Sequence, residues 1–140
     1  MPGATDAVPV LLVDDDPDFR TGVQRTLERS PLAVFTVADG TDALRFLRRQ
    51  PPFSDAPRPA FIVLDYNLPD LNAPDVLRHV RADPALREIP VLVISQIPGP
   101  GDEAAALGAG AQAYSSKPSR VSALRTLVLD FWRAHGSPAC

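Results

Sequence analysis

A chain of 140 residues with 45% hydrophobic and 22% charged positions has the composition of one soluble globular domain, long enough to bury roughly two-thirds of its unfolded surface and too short for a second. A formal charge of −3 and a pI near 5.2 offer no cationic footprint for a nucleic-acid backbone, and the apolar runs fall far short of the roughly 20 residues that a membrane helix needs. Residues 1–9 lack the basic start and apolar core of a signal peptide, and the one cysteine, Cys140, permits no internal disulfide, as expected of a cytoplasmic protein.

Residues 1–7 are small and polar and read as a loose leader. Val8-Pro9-Val10-Leu11-Leu12-Val13 reads as a strand that is apolar on both faces, as a central parallel strand is. It runs into Asp14-Asp15-Asp16-Pro17, where Asp16 is placed to cap a helix with Pro17 in its first turn. Phe19, Val23 and Leu27 recur on one face of that helix. Ala33 to Ala38 is a shorter, mixed strand suited to a sheet edge. Asp39-Gly40-Thr41 opens a second helix with Ala43, Leu44 and Leu47 inward and Arg45, Arg48 and Arg49 on a solvated face. The stretch from Gln50 to Pro59 carries Pro51, Pro52, Pro57 and Pro59 and cannot join a sheet interior.

Phe61-Ile62-Val63-Leu64 then runs straight into Asp65, a buried strand ending in a carboxylate. Pro74 opens a third helix, with Asn72 or Ala73 as its cap and Val76, Leu77 and Val80 inside. Val91 to Ile94 is a fourth strand, ended by Ser95. Asp102 to Leu107 is an alanine-rich helix with few anchors, the natural candidate for a mobile element. Ala111 to Ser115 is a short last strand, followed by Lys117-Pro118. Ser119 is placed to cap a final helix on which Val121, Leu124, Leu127, Val128 and Phe131 recur and which Gly136 ends, leaving 136–140 as a short tail and no output domain. Five strands alternating with five helices over 8–135 predict an α/β domain. The expected form is a doubly wound five-stranded parallel sheet, flavodoxin-like (βα)5 in strand order 2-1-3-4-5.

That order sets Asp14 and Asp15 beside Asp65 at the carboxyl ends of central strands, where open α/β sheets place their ligands, with Ser95 on a neighbouring strand end and Lys117 beyond it. Three carboxylates so close repel and raise one another's pKa, so the pocket makes sense with a cation. Oxygen-only ligands suit Mg2+, which keeps several waters and accepts phosphate oxygens, and phosphoryl transfer is the implied chemistry. Other polar residues have plainer readings. Asp16 is a helix cap before it is a ligand, His79 and His135 sit beside arginines on helices and suggest no metal site, and no glycine-rich loop supports nucleotide binding.

Taken together and in order, Val13-Asp14-Asp15, Leu64-Asp65-Tyr66-Asn67-Leu68-Pro69, Ile94-Ser95 and Tyr114-Ser115-Ser116-Lys117-Pro118 resemble the motifs of the receiver domain of two-component response regulators, single-domain type, over nearly all of residues 8–135. The resemblance implies that Asp65 is the phosphoacceptor, taking a phosphoryl group from a phosphohistidine on a sensor histidine kinase or a histidine phosphotransfer protein. It implies Mg2+, with Mn2+ as a substitute, held by Asp15, Asp65 and the backbone carbonyl of Asn67, with Asp14 acting through a water. Lys117 and Ser95 would contact the phosphoryl group and Tyr114 would swing inward. That movement would switch a face made of the Asp102–Leu107 helix, the last strand and the last helix, for an unidentified downstream protein. Neither nucleic acid nor a membrane is an expected partner, and the domain is a signalling module rather than an enzyme, beyond loading and unloading its own phosphoryl group.

The chain departs from that pattern in places. Gln96 stands where a small residue is usual, so access to the phosphoryl group is expected to be restricted. Ala73 replaces a usual glycine and leaves the geometry of the loop after Pro69 open. Ile97 and Asn67 occupy positions that tune phosphoryl lifetime, Ser119 breaks an apolar pattern, and the proline-rich loop before the Asp65 strand is longer than usual. Gln96 and Ala73 keep a phosphorylation-independent, receiver-like scaffold as the alternative. A phosphatase of the haloacid dehalogenase type needs an acid two residues after its nucleophile, and Asn67 stands there.

Overall fold

In a strand, alternate residues face opposite sides, so one that is apolar throughout needs cover on both. The computed structural model, which describes residues 7–136, meets that requirement three times, in β1 (Val8–Val13), β3 (Phe61–Asp65) and β4 (Val91–Ser95). β2 (Leu32–Val37) and β5 (Ala113–Ser116) form the two edges of one parallel sheet in the order β2-β1-β3-β4-β5, the predicted one. Residues 1–6 of the expected leader and 137–140 of the expected tail, with Cys140, lie outside the described residues.

The two faces of the sheet are covered by different helices. Val10, Leu12, Phe61, Val63, Leu92 and Ile94 pack with α1 (Pro17–Thr26) and α5 (Val121–Phe131). Leu11, Val13, Ile62, Leu64, Val91 and Val93 pack with α2 (Gly40–Leu47), α3 (Ala73–Ala82) and Ala106 of α4 (Asp102–Gly108). No helix among the described residues is long and apolar enough to cross a membrane.

The helix starts follow from their caps. Asp16 accepts from the N–H groups of Asp18 and Phe19 at 3.0 and 3.4 Å, with Pro17 opening α1. Asn72, not Ala73, caps α3, in a reciprocal capping box with Asp75. Ala73 is buried as the first helical residue and its N–H donates to the Tyr66 carbonyl at 2.9 Å, so the loop after Pro69 closes without a glycine. Asp70, in that loop, accepts from the Gly40 and Thr41 N–H groups at 2.9 Å each and from the Thr41 hydroxyl, which locks the loop to the amino end of α2. Burial alone would raise its pKa, but these hydrogen bonds hold it below the ordinary carboxylate range. At Gly40 a Cβ would stand 2.9 Å from Leu71, so only glycine admits this approach.

Three expectations at the carboxyl end need correction. β5 runs over 113–116 rather than 111–115, because Ala111 and Gln112 close the turn after α4, with their N–H groups on Ala106 and Val91 carbonyls. α5 is capped at Arg120 without any side-chain bond, so Ser119 stands one residue too early to serve. Val121 is 55% exposed in the first turn, lining a surface groove with Phe19, and buried Leu129 takes its place inside. After Phe131 the chain winds on through a π-helical turn, Trp132–Gly136.

α2 ends in a Schellman motif: Gln50 N–H donates to the Arg45 carbonyl at 2.9 Å and Arg49 N–H to that of Phe46 at 3.2 Å, with Arg49 left-handed at φ 55°. An L-residue pays about 1–2 kcal/mol for that conformation. Arg49→Gly is therefore expected to stabilise the fold by about 1 kcal/mol, read as a higher denaturation midpoint at constant m-value. A lower midpoint would show that the arginine side chain holds more than its backbone costs.

Candidate functional site

At the point where the chain reverses direction across the sheet, β1 and β3 lie side by side, with Val13 opposite Leu64. The next residues of both strands therefore emerge together at the sheet's carboxyl edge. Carboxylate oxygens of Asp14, Asp15 and Asp65 all lie within 4.8 Å of one another. Asp14 is fully buried and Asp65 is 6% exposed, while Asp15 opens to solvent.

Each neighbour is held by a nameable contact. Asp14 Oδ1 accepts from the Asp16 N–H at 2.9 Å, which ties the acid to the helix cap after it. Asp14 Oδ2 lies 2.7 Å from Lys117 Nζ, and the Lys117 ammonium also sits 4.2 Å above the centroid of the Phe19 ring. Arg20 donates to the Asp14 carbonyl at 2.8 Å. The Lys117 N–H donates to the Ser95 carbonyl at 2.8 Å, extending the β4–β5 ladder by one step to deliver the lysine to the pocket. Ser95 is fully buried and its hydroxyl has no partner among the described residues.

These surroundings act on Asp65. Burial first, then the charge of Asp14, push its carboxyl up to about 6; Lys117 and the Asn67 N–H pull the other way, and Asp15 adds a smaller upward push. The acids carry three negative charges when ionised against the one positive charge of Lys117, so the site as built favours a divalent cation. The buried Ser95 hydroxyl, on the strand end next to Asp65 and with no partner among the described residues, is a donor lacking its acceptor.

Of the predicted residues, Asp14, Asp15, Asp65, Ser95 and Lys117 come together. Asn67 follows directly, paired across the loop with Asn72. Tyr114 is half-buried against the core with its hydroxyl enclosed and without a partner among the described residues, its ring meeting Tyr66 edge-on at 6.5 Å. It already stands turned inward. Gln96 and Ile97 are exposed, Ile97 at 81%, and neither closes the pocket here. Phe19, Tyr66 and Asp70 were not singled out for the site by sequence. Burial and then the Asp102 carboxylate of α4 raise the Tyr66 pKa.

Residues 10–129 match the response regulator receiver domain family. The transcriptional regulatory protein PrrA of Mycobacterium tuberculosis is 37% identical over 130 residues, 93% of this chain and 52% of PrrA, so the chain spans about half the length of that relative. The response regulator Rcp1 of Synechocystis is 30% identical over 128 residues, 88% of this chain and 87% of Rcp1; its Mn2+-bound crystal structure superposes with a TM-score of 0.77 over 95% of this chain and 97% of that one, at 27% identity. The crystal structure of the phosphorylated cyanobacterial phytochrome response regulator RcpA gives a TM-score of 0.83 at 31% identity, over 95% and 96% of the two chains. Sequence, strand order and acidic pocket agree, and this chain belongs to the receiver domains of two-component response regulators.

Proposed function

We propose that Asp65 is a Mg2+-dependent phosphoacceptor. The observation that carries the reading is the convergence of three carboxylates beside a lysine ammonium and a partnerless buried hydroxyl. An Asp65 carboxylate oxygen attacks the phosphorus of a phosphohistidine; the O–P bond forms as the N–P bond breaks, and its electron pair returns to the imidazole of the histidine kinase or phosphotransfer protein. Asp15, Asp65 and the Asn67 carbonyl would hold a Mg2+ or Mn2+ ion, with Asp14 acting through a water, and the ion would supply charge neutralisation there. Mn2+ occupies Rcp1 in one of the similar structures.

The chain's own residues do the rest. Lys117, gripped by Asp14 and Phe19, presents its charge to the incoming oxygens. Ser95 donates a hydrogen bond from its otherwise unpartnered hydroxyl to one of them. The added charge of about −1.5 to −2 draws on these groups and favours the inward Tyr114. It thereby biases the face of α4, β5 and α5 on which a downstream protein docks. α4 suits such a role, since Ala106 is its one buried residue and no side chain caps its start. The domain acts in the cytoplasm as a switch.

Intact-mass spectrometry after incubation with Mg2+ and a phosphorylated histidine protein tests the reading: a single added phosphoryl group is expected. If no competent donor adds one, the phosphorylation-independent scaffold is the better account. We assign Gln96, Ile97 and Asn67 to access and lifetime. Ile97→Ala is expected to shorten the phosphoryl half-life modestly, since so exposed a side chain shields little, and an unchanged half-life in a stopped assay removes that role.

A further inference from the structure

The long proline-rich stretch before β3 and the arginines at the end of α2 find no use in phosphoryl transfer. The structure joins them. Helices in this fold run against the strands, so the carboxyl end of α2, the loop before β3 and the loop after α3 meet at the end of the sheet opposite the acidic pocket. They enclose a cleft of about 430 Å3 lined by Arg48, Arg49, Arg58 and Asp83 over Leu47 and Leu86. The loop is no loose insertion, because the Phe53 ring packs tilted against buried Phe46 at 5.6 Å and Ala56 packs on the same core. It carries Arg58 to the rim, where one guanidinium nitrogen donates to the Ala85 carbonyl across the cleft.

Three guanidinium groups therefore face one carboxylate, in a chain whose net charge is −3. Asp83 lies 3.9 Å from Arg48, and among the described residues Arg49 and Arg58 have no acidic partner. Basic side chains at the end of a helix complement its dipole, which accounts for charge at Arg48 and Arg49. It accounts neither for Arg58, which lies on a loop, nor for arginine at a left-handed position where glycine costs nothing. A mixed lining of aliphatic floor and guanidinium rim is what a small anionic molecule needs: planar forks pair with phosphate or carboxylate oxygens two at a time, and the cleft is within the usual size of small-molecule sites.

We propose that this cleft binds a small organic polyanion, a molecule bearing two or more phosphate or carboxylate groups on an apolar body that rests on Leu47 and Leu86. Arg49 supplies one fork and Arg58 the donors it does not spend on the Ala85 carbonyl, and Arg48 joins them when it leaves Asp83. The site is separate from Asp65 and does not depend on phosphoryl chemistry.

Binding of inorganic pyrophosphate and of citrate is measured by thermal denaturation and amide NMR at fixed ionic strength, in buffer stripped of divalent metal so that the acidic pocket is silent. At least one of the two should raise the melting temperature at millimolar concentration, with amide shifts concentrated in residues 47–58 and 83–86; the tighter one tells phosphate from carboxylate. Loss of a charged hydrogen bond should weaken binding at least about tenfold in Arg58→Gln and in Arg49→Gly. Arg49→Gly should do so while raising the melting temperature of the free protein, a combination that misfolding cannot produce. Equal affinity in all variants, amide shifts centred on Asp65 and Lys117, or no binding of either anion overturns the proposal. So does binding of a glutamate-rich peptide alone, which would make the cleft a protein-docking surface.

Discussion

Asp65→Asn is expected to take up no phosphoryl group from donors that load the wild type, and above pH 6 in the absence of divalent metal it is expected to be the more stable protein. The first half follows from chemistry, since the amide has no anionic oxygen to attack phosphorus. The second follows from the environment of the acid. Burial, with Asp14 second, raises the carboxyl from an ordinary 3.8 to about 6, against the pull of Lys117 and the Asn67 N–H. Between those two values the folded chain holds a proton that the unfolded chain has lost, so stability falls as pH rises through the window and the penalty is complete above 6. The gap corresponds to at most about 3 kcal/mol, and solvent at the pocket mouth reduces it towards about 1–2 kcal/mol. The variant is spared this penalty. Millimolar Mg2+ should narrow or reverse the difference, because only the wild type keeps all three acids and a ligand of the native state adds stability by mass action. Urea titrations from pH 5 to 8, with and without Mg2+, alongside intact mass, read both halves. A wild type more stable than Asp65→Asn at pH 8 without metal would falsify the account of a strained, cation-seeking pocket.

The site was legible in sequence to the extent that its residues sit at the ends of buried strands. A run such as Phe61 to Leu64 must be an interior strand, and the residue after it must emerge at the sheet's edge; strand order then fixes which acids meet. What could not be read is carried by contacts without periodicity. Asp70 seals the loop after Asp65 through bonds to residues 29 and 30 positions earlier in the chain. Phe19 reads as one more apolar position of α1, and only the fold brings its ring over Lys117. The start of α5 misled for a local reason: Ser119 has the right side chain for a cap, yet the turn after Pro118 runs one residue longer and Val121 is left outside. The pocket tolerated such errors because the strand ends, not the helix starts, position its groups.

Arg81 is the residue whose loss should cost the fold most for a single polar side chain. From α3 its guanidinium donates to the Gly110 carbonyl at 2.7 and 3.1 Å, to those of Ile89 and Arg87 at 2.7 and 2.9 Å, and to the Gln112 side-chain oxygen at 2.8 Å. That oxygen also accepts from the Val91 N–H at 2.7 Å, so one side chain staples α3 to the entry of β4 and the entry of β5. Burial presses the Arg81 pKa down and nearby Glu88 presses it up, and the charge is satisfied by carbonyl dipoles rather than by a paired carboxylate. Arg81→Ala strands several half-buried acceptors at once and is expected to cost about 3 kcal/mol or more. Lysine should rescue little, since a point charge cannot span five bonds in three directions. Gly110→Ala reaches the same staple from the other side, for a Cβ there would lie 2.8 Å from Arg81 Nε on a backbone at φ +114°, a conformation that penalises any side chain. Both variants should lower the denaturation midpoint while Asp65 in the surviving folded protein still takes up a phosphoryl group, because the staple lies at the amino edge of β4 and β5 and the pocket at their carboxyl edge. A loss under about 1 kcal/mol in Arg81→Ala would mean that water replaces the guanidinium at these carbonyls at little cost.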